Sequence, residues 1–132
     1  MPRLVVDGMN VIGSRPDGWW RDRDGAVRRL LAKLQALAHT DGDDITLVLD
    51  GRPLPDVSEG EHDGVQVLYA ARRGRDAADD RIVALLGELE SPSDVHVITS
   101  DRALAARARD FGATVTGAGS LLERLDTAEG MR

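Results

Sequence analysis

The chain has no cysteine, a single lysine (Lys33) and only four aromatic residues, Trp19, Trp20, Tyr69 and Phe111. Without thiols there can be neither disulfide staples nor thiolate metal sites. The three histidines, His39, His62 and His96, are too scattered for a local zinc motif, so any metal must be held mainly by oxygen. Apolar runs reach only about six residues, and the first one meets Asp7 after Leu4-Val5-Val6. Neither a spanning helix nor a secretory signal is expected, which makes the expected address cytoplasmic, without a membrane partner. No P-loop and no dinucleotide glycine fingerprint follows the first apolar run.

The chain has 132 residues, 42% hydrophobic and 30% charged. That is one globular domain with a single core, expected over residues 1–126, with 127–132 as a frayed tail. The formal charge of −6 argues against binding nucleic acid through overall charge. The 17 basic residues are nevertheless all arginine except Lys33, and several are clustered, so a local patch can act where the global balance does not.

Five β-branched or aliphatic runs read as buried strands: Leu4 to Val6, Ile45 to Leu49, Val65 to Tyr69, Val95 to Thr99 and Ala113 to Thr116. Between them, helical spacing predicts helices over 24–39 (capped by Asp24), 76–89 and 102–111 (stopped by Gly112), and a last one from Ser120, where Ser120 and Glu123 form a capping-box pattern. The strands hardly alternate, as expected when both faces of a parallel sheet are covered. This predicts a three-layer α/β/α sandwich around a five-stranded parallel sheet. Residues 51–64, rich in proline, glycine and acid, read as an exposed loop.

Three of these strands end at aspartate: Asp7, Asp50 and Asp101. In open α/β sheets ligands bind beyond the carboxyl ends of the strands, where these three converge if the strands are parallel. Aspartate is also a common turn residue or helix cap, and Asp50-Gly51 is a turn signal. Asp79 is more demanding, because Ile82, Val83 and Leu86 follow at offsets of three, four and seven and place it on the apolar stripe of its helix. A buried carboxylate is costly unless paired or metal-bound. Gathered carboxylates repel one another, and a divalent cation removes the conflict; all-oxygen ligation favours Mg²⁺ or Mn²⁺ and phosphodiester hydrolysis.

The stretch Val6-Asp7-Gly8-Met9-Asn10-Val11-Ile12 resembles the opening motif of the NYN domain, a branch of the PIN-like nuclease superfamily. Ala78-Asp79-Asp80-Arg81-Ile82-Val83 and Thr99-Ser100-Asp101-Arg102 resemble its second and third acidic motifs, and Val48-Leu49-Asp50-Gly51 its second-strand ending, all in the family's order. The chain is most similar to the bacterial YacP-like group, and the Asp79-Asp80 pair is also similar to Regnase-like ribonucleases. The resemblance implies strand order 3-2-1-4-5 and metal-dependent endonucleolytic cleavage of RNA that leaves a 5′-phosphate without a side-chain nucleophile. It further implies Asp7, Asp79 and Asp101 as metal ligands and Asp80 as a second acidic contributor. Asn10 would orient a ligand or water, with Ser100 and Asp50 supporting the same edge. One departure is Val83, where YacP-like sequences often carry glutamate.

Arg72, Arg73 and Arg75, directly before the acidic helix, and Arg102 beside Asp101 are candidates to grip RNA phosphates. They equally suit a solvated loop that balances the aspartates. Trp19 and Trp20 suit base stacking or core packing. The expected partner is RNA, single-stranded or presented by a ribosome, and a homodimer is compatible with the sequence. The alternative function is an NYN domain of little or no catalytic power that binds RNA or a ribosome-associated partner. A phosphate-accepting receiver domain fits less well: Asp7 stands alone where it needs an acidic pair, and Gly117 to Ser120 offer no lysine.

Overall fold

A computed structural model describes residues 3–42, 44–70 and 75–130. Its centre is a six-stranded sheet formed by β1 (Arg3–Asp7), β2 (Asp44–Leu49), β3 (Gly60–His62), β4 (Val65–Tyr69), β5 (Val95–Ile98) and β6 (Thr114–Thr116), in the order β3-β4-β2-β1-β5-β6. Every neighbouring pair is parallel except β3 with β4. Five helices cover it: α1 (Gly8–Gly13), α2 (Arg23–Asp41), α3 (Arg75–Glu88), α4 (Arg102–Asp110) and α5 (Ala118–Gly130). Among the described residues no helix is long and apolar enough to cross a membrane.

Side chains that alternate along a strand point to opposite faces, and the two faces have separate cores. Leu4 and Val6 of β1 join Ile45, Leu47 and Leu49 of β2 beneath α1, α2 and α5. Val5 and Val48, between them in sequence, join Ile82 and Leu86 of α3 and Leu104 and Ala108 of α4 on the other side. β1 and β2 are therefore apolar along most of their length because each face has its own helical layer, which produces the three layers expected.

The sheet differs from the expected five parallel strands. It is six-stranded and mixed, because the supposed loop over 51–64 folds back as β3 against β4, with Gly60 opposite Val67 and His62 opposite Val65. The link is Asp63-Gly64, both at positive φ (48° and 95°), which matches the two-residue hairpin turn that Asp-Gly favours. The rest of that segment is ordered too. Val57 is buried, the Tyr69 hydroxyl donates to its carbonyl at 2.6 Å, and Arg28 holds Asp56 through two hydrogen bonds of 2.8 and 3.0 Å.

Helix boundaries shift for local reasons. The α2 cap is Asp22 rather than Asp24, its Oδ1 accepting from Gly25 N at 3.0 Å. The helix ends at Gly42, in the left-handed region at φ 70°. The last helix starts at Ala118 instead of Ser120, with its first N–H donated to Ser100 Oγ at 3.0 Å, so Ser120 and Glu123 lie inside it. It runs through Gly130, past the expected boundary at Thr127, whose hydroxyl bonds back to the Glu123 carbonyl.

Candidate active site

Because β1, β2 and β5 are parallel, their carboxyl ends share one edge, and the chain leaves each of them at an acid. Asp7 is the last residue of β1, Asp50 follows β2, and Asp101 caps α4 just after β5. The short helix α1 starts at Gly8, directly after Asp7. A Cβ there would lie 2.7 Å from a Leu49 methyl and 3.0 Å from the Val48 carbonyl oxygen, so glycine allows the chain to turn close over β2.

A cavity of about 500 Å³ opens at this edge, lined by Asp7, Asn10, Asp50 and Ser100, with Met9, Trp19 and Ala78 among its walls. Asp7 is 3% exposed. Its Oδ2 accepts from Thr99 Oγ1 at 2.9 Å, and the same Thr99 oxygen accepts from Asp101 N at 3.1 Å. Asn10 joins the two strand ends: its backbone N–H supports the Asp7 carboxylate, and its side-chain Oδ1 accepts from Ser100 N at 2.8 Å. Asn10 and Ser100 thus tie the two strand-end loops together.

Burial pushes the Asp7 carboxyl up from 3.8 to about 6. The Thr99 hydroxyl opposes this, Asp101 adds to it by repulsion, the Asn10 N–H opposes it, and Asp50 adds a smaller repulsion. Asp101 and Asp50 therefore lie near enough to be felt at Asp7. The Asp101 Oδ1 accepts from Ala103 N at 2.9 Å and Leu104 N at 3.2 Å, so this residue is helix cap and site neighbour at once.

Asp79 is 5% exposed in α3, next to the cavity-lining Ala78, as its spacing among apolar residues implied. Its buried Oδ1 accepts no hydrogen bond from the described residues. Asp80 points elsewhere: it is exposed and paired with Arg107 of α4 at 3.0 Å. Asp50 is paired with Arg23 of α2. Arg102 is exposed at the start of α4, while Arg72, Arg73 and the Arg75 side chain lie outside the described residues.

Among the described residues no three histidine or acidic side chains stand close enough together to form a ready metal cage. The donor chemistry still suits a hydrated Mg²⁺ or Mn²⁺, since Mg²⁺ keeps several waters and needs only one or two carboxylates. Asp7, crowded by Asp101 and Asp50 in a mostly buried setting, is such a carboxylate. Sequence reasoning missed three participants: the Thr99 hydroxyl, Trp19 as a cavity wall, and Arg23 as the partner of Asp50. Only Thr99 carried a signal, a hydroxyl at the end of an apolar strand.

A three-layered α/β domain with acids at the carboxyl edge of its parallel strands is the architecture of a nuclease-like NYN domain. The sequence matches the YacP-like NYN domain over residues 4–131, and the chain belongs to that family. Among solved structures it is similar to Rae1 (YacP) from Bacillus subtilis in a tryptophan-to-leucine variant, with TM-score 0.78 and 26% identity over 99% of this chain and 79% of that one. A second Bacillus subtilis Rae1 (YacP) structure gives TM-score 0.71 at 24% identity, over 99% and 77% of the two chains, a likeness of fold. No curated protein matches.

Proposed function

We propose that the chain is a metal-dependent endoribonuclease that hydrolyses RNA phosphodiesters at the Asp7 edge. The observation that carries this reading is the buried Asp7 on the wall of a roomy cavity, fixed by Thr99 and Asn10 and crowded by Asp101 and Asp50. Family membership in a nuclease-like group supports it.

Asp7 and Asp101, with Asp79 from α3, are the residues to hold a Mg²⁺ or Mn²⁺. When bound, the cation acidifies a water and neutralises charge on the phosphoryl oxygens, as in other metal-assisted hydrolyses. The chain's own contribution is positioning. The Thr99 hydroxyl, fixed by the Asp101 N–H it accepts, aims one Asp7 oxygen. Asn10 locks the two strand-end loops together, and Arg23 neutralises Asp50 and so limits the repulsion that an incoming phosphate meets. Arg102, together with Arg72, Arg73 and Arg75, supplies cations for flanking phosphates. Asp80, exposed and held by Arg107, is not among the residues proposed to hold the cation.

The test is cleavage of a labelled single-stranded RNA by highly purified protein, with Mn²⁺ and with chelator. Cleavage is expected only with Mn²⁺, falling at least 100-fold or so in Asp7→Asn and Asp101→Asn, the range for loss of a group acting on the transition state. Undiminished cleavage by both variants would remove the metal mechanism. The second reading, an RNA-binding domain with little catalysis, is favoured by the lack of a three-carboxylate group among the described residues. It predicts RNA binding with no Mn²⁺-dependent product.

A further inference from the structure

Trp19 borders two cavities. One is the aspartate cavity; the other, about 60 Å³, lies between α1 and α2, where apolar side chains such as Leu30 and Leu122 line it together with Arg15, Arg29, Lys33 and Asp17. Although the chain is acidic overall, cations predominate here. Asp126 pairs with Arg15 at 2.9 Å and is also drawn by Lys33, so even with Asp17 counted the positive side chains outnumber the negative ones. The volume suits a group the size of a phosphate, not a nucleobase.

Beside it stands Trp20, 57% exposed in a chain with only four aromatic residues. Its ring meets that of Trp19 edge to face, with centroids 6.0 Å apart and planes at 86°. Trp19 is half-buried and packed on the core, and both tryptophans sit on a single 3₁₀ turn entered through Gly18 in the left-handed region at φ 84°. Trp20 is thus a solvent-facing indole set edge to face against Trp19, the residue that borders both the basic cavity and the candidate active site. Aromatic faces of this kind take unpaired bases, because a paired base already has both faces stacked within its helix.

We propose that Trp20, braced by Trp19, is the stacking platform for an unpaired base flanking the scissile phosphate, with Arg29 and Lys33 holding that nucleotide's own phosphate. The site therefore selects single-stranded RNA over duplex. This assignment rests on the hydrolase reading only for what happens next door.

The experiment measures binding of the full chain, in chelator, to a fluorescein-labelled oligoadenylate of about a dozen nucleotides, and to its duplex with oligouridylate, by anisotropy. Trp20→Ala is expected to weaken single-strand binding about 5- to 100-fold, with Trp20→Phe restoring most of it and duplex affinity unchanged. Arg29→Gln and Lys33→Gln are each expected to reduce the slope of log affinity against log salt by about 0.7. Equal single-strand affinity of wild type and Trp20→Ala, or no measurable single-strand binding by wild type, overturns the platform; the hydrolase reading survives if Mn²⁺-dependent cleavage persists. Trp20-dependent binding without any Mn²⁺-dependent cleavage has the reverse meaning. If Trp20→Ala instead turns a dimer into a monomer in sedimentation, with RNA affinity untouched, the tryptophan face is a self-association surface and the platform is overturned.

Discussion

Ionised Asp7 costs the fold stability, because a carboxyl of ordinary pKa 3.8 is raised to about 6 on folding. Between these values the folded state binds more protons than the unfolded one, so this residue's contribution to stability falls as pH rises from about 4 to 6 and is level above that. The two-unit shift corresponds to roughly 3 kcal/mol. Asp7→Asn keeps an oxygen to accept the Thr99 hydroxyl and removes the charge. In chelator it should therefore be more stable than wild type by roughly 1–3 kcal/mol at pH 7, with the advantage gone near pH 4. Urea titrations across that range measure this; an Asn variant less stable at pH 7 contradicts the cause assigned. Thr99 gives a second residue-scale prediction. Thr99→Val strands the half-buried Asp101 N–H and the buried Asp7 oxygen, which should cost roughly 1–3 kcal/mol, while Thr99→Ser loses less and keeps cleavage. Equal unfolding midpoints for Val and wild type would contradict the bridge.

At the scale of elements, the connection from β1 to α1 depends on Gly8. Gly8→Ala brings a methyl within 3.0 Å of the Val48 carbonyl oxygen and the side chains of Leu49 and Leu47, so it should destabilise the protein by roughly 1–3 kcal/mol and lift α1, with Asn10, away from the β5 loop. Thermal unfolding checks the first effect and RNA cleavage the second; an Ala variant unchanged in both contradicts the close approach. Most elements were legible because apolar runs and three- and four-residue spacing report directly which faces are buried. What escaped was set by single contacts. Asp24 reads as the α2 cap because it directly precedes the apolar spacing, and only the path of the chain decides that Asp22 reaches Gly25 N. The β3–β4 hairpin lay inside the segment that reads as an exposed loop, because Gly60-Glu61-His62 has no apolar alternation and its pairing comes from the Asp63-Gly64 turn and the neighbouring strand. Helix α1 follows Asp7 too closely, and is too short, to show a period of its own.

On the scale of the whole molecule, topology converts distant sequence positions into neighbours. Asp7, Asp50 and Asp101 stop parallel strands, and that was readable once the strands were known to be parallel. Which partner each acid takes was not readable, because ion pairs across elements depend on the reach of long side chains: Arg23 takes Asp50 and Arg107 takes Asp80. The burial of Asp79 was legible from its helical stripe, and that of Asp7 is a consequence of closing α1 over the sheet. The divalent cation proposed here binds Asp7, at the edge this residue shares with Asp50 and Asp101, with Asp79 of α3 as a further proposed ligand. A crystal soaked in Mn²⁺ tests this most directly. The predicted result is an anomalous peak about 2 Å from an Asp7 carboxylate oxygen, absent in the Asp7→Asn variant. A soaked crystal with Mn²⁺ bound elsewhere and nothing at Asp7 would contradict it.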